Sequence, residues 1–159
     1  MIQSKNLADE LCNTVFGDPW HGSSVQKILE NITAEQAVKH PKTDAHSIIE
    51  ILLHMLAWTE EVNSRLSGGI PNDPAMGDWP RLTDFQKLSW AELKNQFFRE
   101  SQNIMNTIKN FPEERLDEVV GLERNSPLGT GVSFASMILG LIQHDAYHSA
   151  QISLLKKFT

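Results

Sequence analysis

The chain of 159 residues has the length of one ordinary domain, and we expect a single domain over residues 1–159. Its 40% hydrophobic and 21% charged residues are typical of a globular protein, which argues against wholesale disorder. The formal net charge is −6, with 14 basic and 20 acidic residues. Because phosphate backbones are bound by clustered lysine and arginine, this balance argues against nucleic acid as a main partner.

Cysteine usage and hydropathy indicate the cellular setting. The single cysteine, Cys12, cannot form an internal disulfide, which is typical of a reducing compartment. Polar and charged residues within positions 4–10 interrupt the apolar run that a secretory signal needs. No stretch of the sequence is apolar for long enough to span a bilayer. We therefore expect a cytoplasmic protein without a membrane partner.

Helical spacing of apolar residues dominates the sequence, and no segment shows sustained strand alternation. Thr33 with Gln36 and Ser89 with Glu92 have capping-box spacing, which favours helix starts at both places. The predicted helices, in chain order, cover residues 5–16, from 23 or 24 onward, 34–40, 44–67, 89–111 and 133–157. The first has Leu7, Leu11, Val15 and Cys12 as its apolar side, and Thr43 or Asp44 caps the fourth.

A loop over residues 68–87, rich in Gly, Pro and Asp, separates the fourth and fifth helices and contains Trp79. Loops of this length are uncommon without a function or an irregular packed structure. Four substantial helices in one domain indicate an all-α fold, a helical bundle with short extra helices and this one long loop.

His144 and His148 stand four residues apart on the last predicted helix, so their side chains project from the same face. The apolar residues of that helix follow the same spacing, which turns the pair toward the core. A buried polar group without a partner costs about 1–3 kcal/mol, so two inward imidazoles need partners. A shared metal ion satisfies both, and hydrogen bonds to backbone or side chains are the alternative. No glutamate follows His144, so the zinc-protease motif is absent.

His54 lies in the middle of the long fourth helix, which is largely apolar. A lone histidine there is most often a satisfied core residue, but three inward histidines on two helices indicate convergence in the bundle core. Imidazoles suit Zn²⁺, Ni²⁺ or Fe²⁺ better than Mg²⁺ or Ca²⁺, and three of them leave a position open for water or substrate. We predict one divalent transition metal, Zn²⁺ or Ni²⁺ first, with Fe²⁺ and Mn²⁺ as alternatives.

Two further polar residues are candidates for catalysis. Gln151 shares the face of the histidine pair, where it either holds a metal-bound water or is a helix-packing amide. Glu50 lies one turn before His54, where it either orients an imidazole and accepts a proton or is a capping or solvated carboxylate. His46 either lines the same opening or is an ordinary helix-start histidine, which is the simpler interpretation, and a fourth ligand is the less favoured role for His21. No catalytic residue is assigned by the sequence.

Four segments together resemble the DinB/YfiT-like superfamily of metal-dependent enzymes, and they span nearly the whole chain. They are residues 19–22, residues 33–37, residues 46–50 with His54 and Trp58, and residues 144–152. The resemblance implies a four-helix bundle with up-down-down-up connectivity and a metal ion on His54, His144 and His148. It also implies that the segment around His21 covers the mouth of the site and that bundle faces form a homodimer.

The resemblance leaves the activity open. Members are similar to thiol-dependent S-transferases and to mycothiol-dependent maleylpyruvate isomerase, and others are called hydrolases. We therefore expect a metal-dependent hydrolase or a thiol S-transferase acting on a small molecule, with a low-molecular-weight thiol as a candidate partner. One alternative is a non-catalytic bundle that binds a metal or small ligand in a stress response. Another is a structural bundle whose histidines are satisfied by ordinary hydrogen bonds.

Overall fold

Six α-helices follow one another along residues 3–41, 44–81, 88–121 and 127–158, which the computed structural model describes. They are α1 (Ser4–Val15), α2 (Val25–Leu29), α3 (Ala34–Val38), α4 (Ile48–Leu66), α5 (Trp90–Lys109) and α6 (Phe134–Leu155). A short 3₁₀ helix, Glu113–Arg115, follows α5. The described residues contain no β-strand, apart from one isolated bridge between Val119 and Ser133. The prediction of an all-α fold with short extra helices is confirmed.

Side-chain caps decide where the helices begin. The capping boxes predicted at Thr33 and Ser89 open α3 and α5. The prediction for α4 is wrong by several residues, because the helix begins after Ser47 rather than after Asp44. The Glu50 carboxylate accepts hydrogen bonds from the Ser47 backbone N–H and hydroxyl, both at 2.8 Å, and fixes the start there. The other predicted cap, at position 43, lies outside the described residues.

The four long helices enclose one apolar core. α1 packs against α5 and α6, and α4 packs against the same two helices. Each contributes a stripe of fully buried side chains, among them Leu11, Leu52, Phe97 and Ile138. Cys12 does not belong to this stripe and is exposed, so its predicted place in the core is wrong. The reason is helical phase, since a residue next to Leu11 points about 100° away from it.

A buried ion pair fastens the segment after α4 to the helix itself. Arg65 donates from Nε to Glu61 Oε1 at 2.8 Å, and both side chains are buried. The Arg65 guanidinium also donates to the carbonyl of Asn72 at 2.9 Å, and the Asn72 backbone N–H donates to Glu61 Oε1 at 2.9 Å. Residues 68–81 therefore form a packed structure on α4, as the length of the predicted loop suggested. Residues 82–87 of that loop lie outside the described part.

The same arginine reaches the chain ahead of α6. Its Nη1 donates to the carbonyls of Leu128 and Gly129, at 3.1 and 3.0 Å. One side chain thus joins the end of α4 to the segment that follows it and to the chain ahead of α6, which is 64 residues away in sequence. Among the helices described, none combines the length and apolar character needed to cross a membrane.

Candidate metal centre

Three histidines from two helices meet in the interior of the bundle. His54 on α4 and His144 and His148 on α6 each place one ring nitrogen within 4.8 Å of the other two. The Nε2 atoms of His54 and His144 are 2.9 Å apart. His54 and His148 are buried, and His144 is partly exposed. The predicted convergence of α4 and α6 on one cluster is therefore observed, and the cluster is positioned to hold a metal ion.

The far side of the His54 ring is held by the loop after α4. His54 Nδ1–H donates to the backbone carbonyl of Asp78, which leaves Nε2 as the unprotonated nitrogen facing His144. The Asp78 carboxylate in turn accepts a hydrogen bond from Trp58 Nε1 at 2.7 Å, one turn beyond His54 on α4. Sequence reasoning missed Asp78, since only the unusual length of its loop pointed to a role.

The ring of His148 is held from its own helix. Its Nδ1–H donates to Gln151 Oε1 at 2.7 Å, which again leaves Nε2 free to bind. Gln151 Nε2 donates to the hydroxyl of Tyr147 at 3.1 Å, so both ends of the amide are engaged. Gln151 is thus a neighbour of the cluster, and its contact is with an imidazole.

His144 differs from the other two histidines. Its Nδ1 atom is buried, although the residue is partly exposed, and this atom has no hydrogen-bond partner among the described residues. Asp145 Oδ1 lies 3.6 Å from that nitrogen, and it is likewise buried and without a hydrogen bond. Burial raises the pKa of the Asp145 carboxyl, and the nearby His144 opposes this effect. Sequence reasoning missed Asp145, although an acidic residue inside a buried stretch of α6 is a visible signal.

The electrostatic environment keeps the buried imidazoles neutral. Burial lowers the pKa of His148 to about 4, and the neighbouring His144 contributes in the same direction. Burial also lowers the pKa of His54. The hydrogen bond to the Asp78 carbonyl raises this pKa, and the neighbouring His144 lowers it further. Neutral imidazole is the form that binds metal, so protons compete weakly for these nitrogens at neutral pH.

Trp79 covers the cluster from the side of the loop. Its indole stacks on His54 with ring centroids 4.0 Å apart and planes within 7°. It also stacks on His46, with centroids 3.7 Å apart and planes within 5°. Trp79 keeps 36% of its surface exposed, so it lies between the histidines and solvent. His46 is therefore connected to the histidine cluster by the Trp79 indole, which stacks on both His46 and His54.

The remaining candidates have contacts of other kinds. Glu50 bonds to Ser47, and its carboxylate lies 3.5 Å from His40 Nε2 and 3.8 Å from His46 Nδ1. Although burial opposes it, these partners hold the pKa of Glu50 below its usual range. The hydrogen bonds to Ser47 are those of a capping box, and a role of Glu50 as general base stays a prediction. His21 is exposed and is not among the described ring or hydrogen-bond partners of the three histidines.

The comparison with protein families decides what the chain is related to. A model of the DinB superfamily matches residues 20–152, which include all three histidines and Gln151. The chain belongs to the DinB superfamily. The resemblance seen in the sequence is thereby confirmed, whereas no curated protein matches the chain.

The residues of the cluster fit the metal ion that the superfamily implies. Two unprotonated Nε2 lone pairs cannot face each other at 2.9 Å, so either a proton or a cation belongs between His54 and His144. With a cation there, His144 carries its proton on Nδ1, and the unpartnered Asp145 Oδ1 lies 3.6 Å from that nitrogen. Neutral nitrogen donors select Zn²⁺, Ni²⁺ and similar ions over Mg²⁺ and Ca²⁺.

Proposed function

We propose that this protein is a metal-dependent enzyme in which His54, His144 and His148 bind one divalent transition metal, Zn²⁺ or Ni²⁺ first and Fe²⁺ or Mn²⁺ as alternatives. One observation carries the proposal: three ring nitrogens lie within 4.8 Å of one another inside the bundle. The opposite nitrogens of two of the rings already donate to Asp78 and Gln151, as in known metal-binding histidines.

The protein residues around the cluster have distinct tasks in this proposal. Asp78 and Gln151 fix the tautomers of His54 and His148, Asp145 orients His144, and Trp79 limits the entry of water. When bound, the ion supplies Lewis acidity toward a water molecule or a thiol. Three protein ligands leave a coordination position for that molecule, which suits a hydrolase or a thiol S-transferase acting on a small molecule.

We also propose up-down-down-up connectivity for the four long helices. The Ser4 hydroxyl at the start of α1 donates to the carbonyl of Phe111 just beyond α5, at 2.8 Å, so these helices run in opposite directions. Arg65, near the end of α4, donates a hydrogen bond to the carbonyl of Gly129 ahead of α6. This contact supports an antiparallel arrangement of α4 and α6. Leu66 at the end of α4 lines one surface cleft with residues of the α5 end, which supports a parallel α4 and α5.

The experiment that tests the activity uses untagged protein loaded with Zn²⁺ or Ni²⁺. Hydrolysis of an activated aryl ester and transfer of a thiol to an electrophilic aryl halide are measured side by side. We expect turnover in one assay that depends on metal, is lost in His148→Ala and is kept in the matched exposed variant His21→Ala. Equal turnover in His148→Ala, or turnover in metal-free protein, contradicts the proposal.

A non-catalytic metal-binding bundle is the second candidate function. The observation that favours it is the burial of His54 and His148 beneath Trp79, which restricts access to the cluster. It predicts that a chelator lowers the thermal stability of the protein, while metal-loaded protein turns over neither the ester nor the thiol substrate.

A further inference from the structure

We propose that a cavity beside His148 binds a compact, uncharged and apolar part of the substrate, such as an aryl or branched alkyl group. The proposal rests on the proposed function, because it takes the three histidines as metal ligands. It goes further by stating which chemical class of small molecule the site accepts.

The cavity lies between α6, the start of α4 and Trp79. Its volume is about 420 Å³, and its walls include Ile51, Trp79, Tyr147, His148 and Leu154. Sites for small molecules have volumes of about 300–1,000 Å³ and mostly apolar walls. Because His148 is part of the wall, a molecule in this cavity reaches the edge of the metal centre.

The walls carry little that could pair with a charge. Among the described residues, no lysine, arginine, aspartate or glutamate lines the cavity. The Gln151 amide is engaged by His148 and Tyr147, and the His46 ring, which stacks on Trp79, has its Nδ1 3.8 Å from the Glu50 carboxylate. A carboxylate or ammonium group would therefore lose its hydration without gaining an ionic partner. An apolar group has no strongly bound hydration to lose, and it gains contact with the leucine, isoleucine and aromatic side chains of the walls.

A second cavity reaches the cluster from the side of His144 and provides an internal comparison. Its volume is about 360 Å³, and its lining includes Trp58, Val62, Leu141 and His144. Its one charged side chain, Arg65, is engaged by Glu61 and by three backbone carbonyls. Both approaches to the metal centre are thus apolar, and the two cavities share no lining residue.

Two substitutions can tell the cavities apart. Leu154 is 57% exposed at the rim of the first cavity, so Leu154→Lys adds a cation there without disturbing the core. Gly140 lines the second cavity, and apart from the backbone of its own helix and its chain neighbours a Cβ added there meets nothing within 4 Å, so Gly140→Val fills that cavity and not the first. Val38→Lys is the matched control, because Val38 is 51% exposed on α3 and lines neither cavity.

The main experiment measures thiol binding to the Co²⁺-loaded protein through the thiolate-to-cobalt absorption band. We expect benzyl mercaptan to bind at least ~10-fold more tightly than 3-mercaptopropionate, because only the latter brings an unpaired charge into the cavity. Leu154→Lys should narrow or reverse this preference, while Val38→Lys and Gly140→Val leave it unchanged. Equal affinities in the wild type, an unchanged preference in Leu154→Lys, or loss of benzyl mercaptan binding in Gly140→Val overturns the proposal.

A second arm uses metal-free protein and separates this proposal from the proposed function. Benzyl alcohol is titrated while the methyl NMR signals of Ile51 and Leu154 are followed. Shifts at these methyl groups support the cavity even if the protein fails to bind Co²⁺, a failure that would count against the metal centre. If Co²⁺ binds but these signals do not move, the cavity assignment is wrong while the metal centre stands.

Discussion

The two sides of the bundle differ in what they bury. Between α1 and α5 the buried residues are mostly apolar, such as Leu11, Phe97 and Ile104. The buried hydroxyl groups on that side are satisfied, since Ser4 donates to the carbonyl of Phe111 and Ser101 to that of Phe97, both at 2.8 Å. Among the described residues of α1 and α5, no buried side-chain polar atom lacks a hydrogen bond, as a stable core requires.

Between α4 and α6 the interior contains two histidines, an ion pair and a carboxylate. His144 Nδ1 and Asp145 Oδ1 are buried there without hydrogen bonds among the described residues. Each unsatisfied group costs about 1–3 kcal/mol in protein data. The side between α1 and α5 therefore contributes stability, whereas the side between α4 and α6 holds three imidazoles together at a cost in stability. Such a division is expected of proteins whose sites are less stable than their scaffolds.

The largest expected effect comes from breaking the stable side. Phe97→Ala should lower the free energy of unfolding by roughly 3–5 kcal/mol, because Phe97 is fully buried and the substitution leaves a cavity. Urea denaturation measures the loss. Metal bound per folded molecule should stay unchanged, since α5 carries none of the three histidines. A parallel loss of metal affinity would show that the two sides are not separable.

Breaking the Arg65–Glu61 ion pair, on the side of α4 and α6, should lower the free energy of unfolding by nearly as much. Arg65→Met leaves the Glu61 carboxylate buried without a cation, which costs about 3–5 kcal/mol when one partner of a buried pair is removed. The double variant Glu61→Gln with Arg65→Met should recover part of this loss, because glutamine still accepts from the Asn72 N–H. If the single and double variants unfold at the same urea concentration, the buried charge is not the cause.

A smaller effect is expected at Asp145. Asp145→Leu should weaken metal binding by about 10–100-fold, the usual effect of removing the acceptor behind a ligating histidine. Asp145→Asn keeps an acceptor oxygen near His144 Nδ1 and should lose less. Titration against a competing chelator measures both variants. Equal affinities in Asp145→Leu and wild type would remove Asp145 from the account of the metal centre.

The smallest effect tests how the His144 ring contributes to stability when no metal is bound. His144→Leu should abolish metal binding but change the free energy of unfolding of the metal-free protein by no more than about 1 kcal/mol, because it removes the unsatisfied Nδ1 and also the contact between the Nε2 atoms of His144 and His54. Thermal unfolding in the presence of chelator measures this. A larger loss of stability would mean that the contact with His54 outweighs the cost of the unsatisfied Nδ1.

The sequence predicted most of what depends on local pattern. The spacing of His144 and His148 within the apolar phase of α6 indicated their inward orientation, and capping-box spacing located the starts of α3 and α5. The placement of His54 in the same cluster required bundle packing and the family resemblance. Local pattern therefore sufficed for the starts of α3 and α5 and for two of the three histidines of the cluster.

The missed features depend on contacts between distant segments. Asp78 and Trp79 contact His54 because hydrogen bonds from Arg65 hold the preceding chain at Asn72 against α4. Arg65 also bonds to Gly129, and these two contacts span 7 and 64 residues in sequence. The spacing of apolar residues cannot predict the course of this loop across α4. The cap of α4 was misplaced because two plausible capping sites lie close together in sequence, and only the bond from Ser47 to Glu50 decides between them.

Measuring the metal content of the protein is the sharpest test of the proposed metal centre. Untagged protein is expressed with added zinc and nickel, analysed by elemental analysis and examined by X-ray absorption at the metal edge. We expect about one equivalent of metal with three imidazole ligands. This metal should be lost in His54→Ala, His144→Ala and His148→Ala and kept in His21→Ala. Full metal content in any two of the three ligand variants, or a wild-type protein that takes up none, would contradict it.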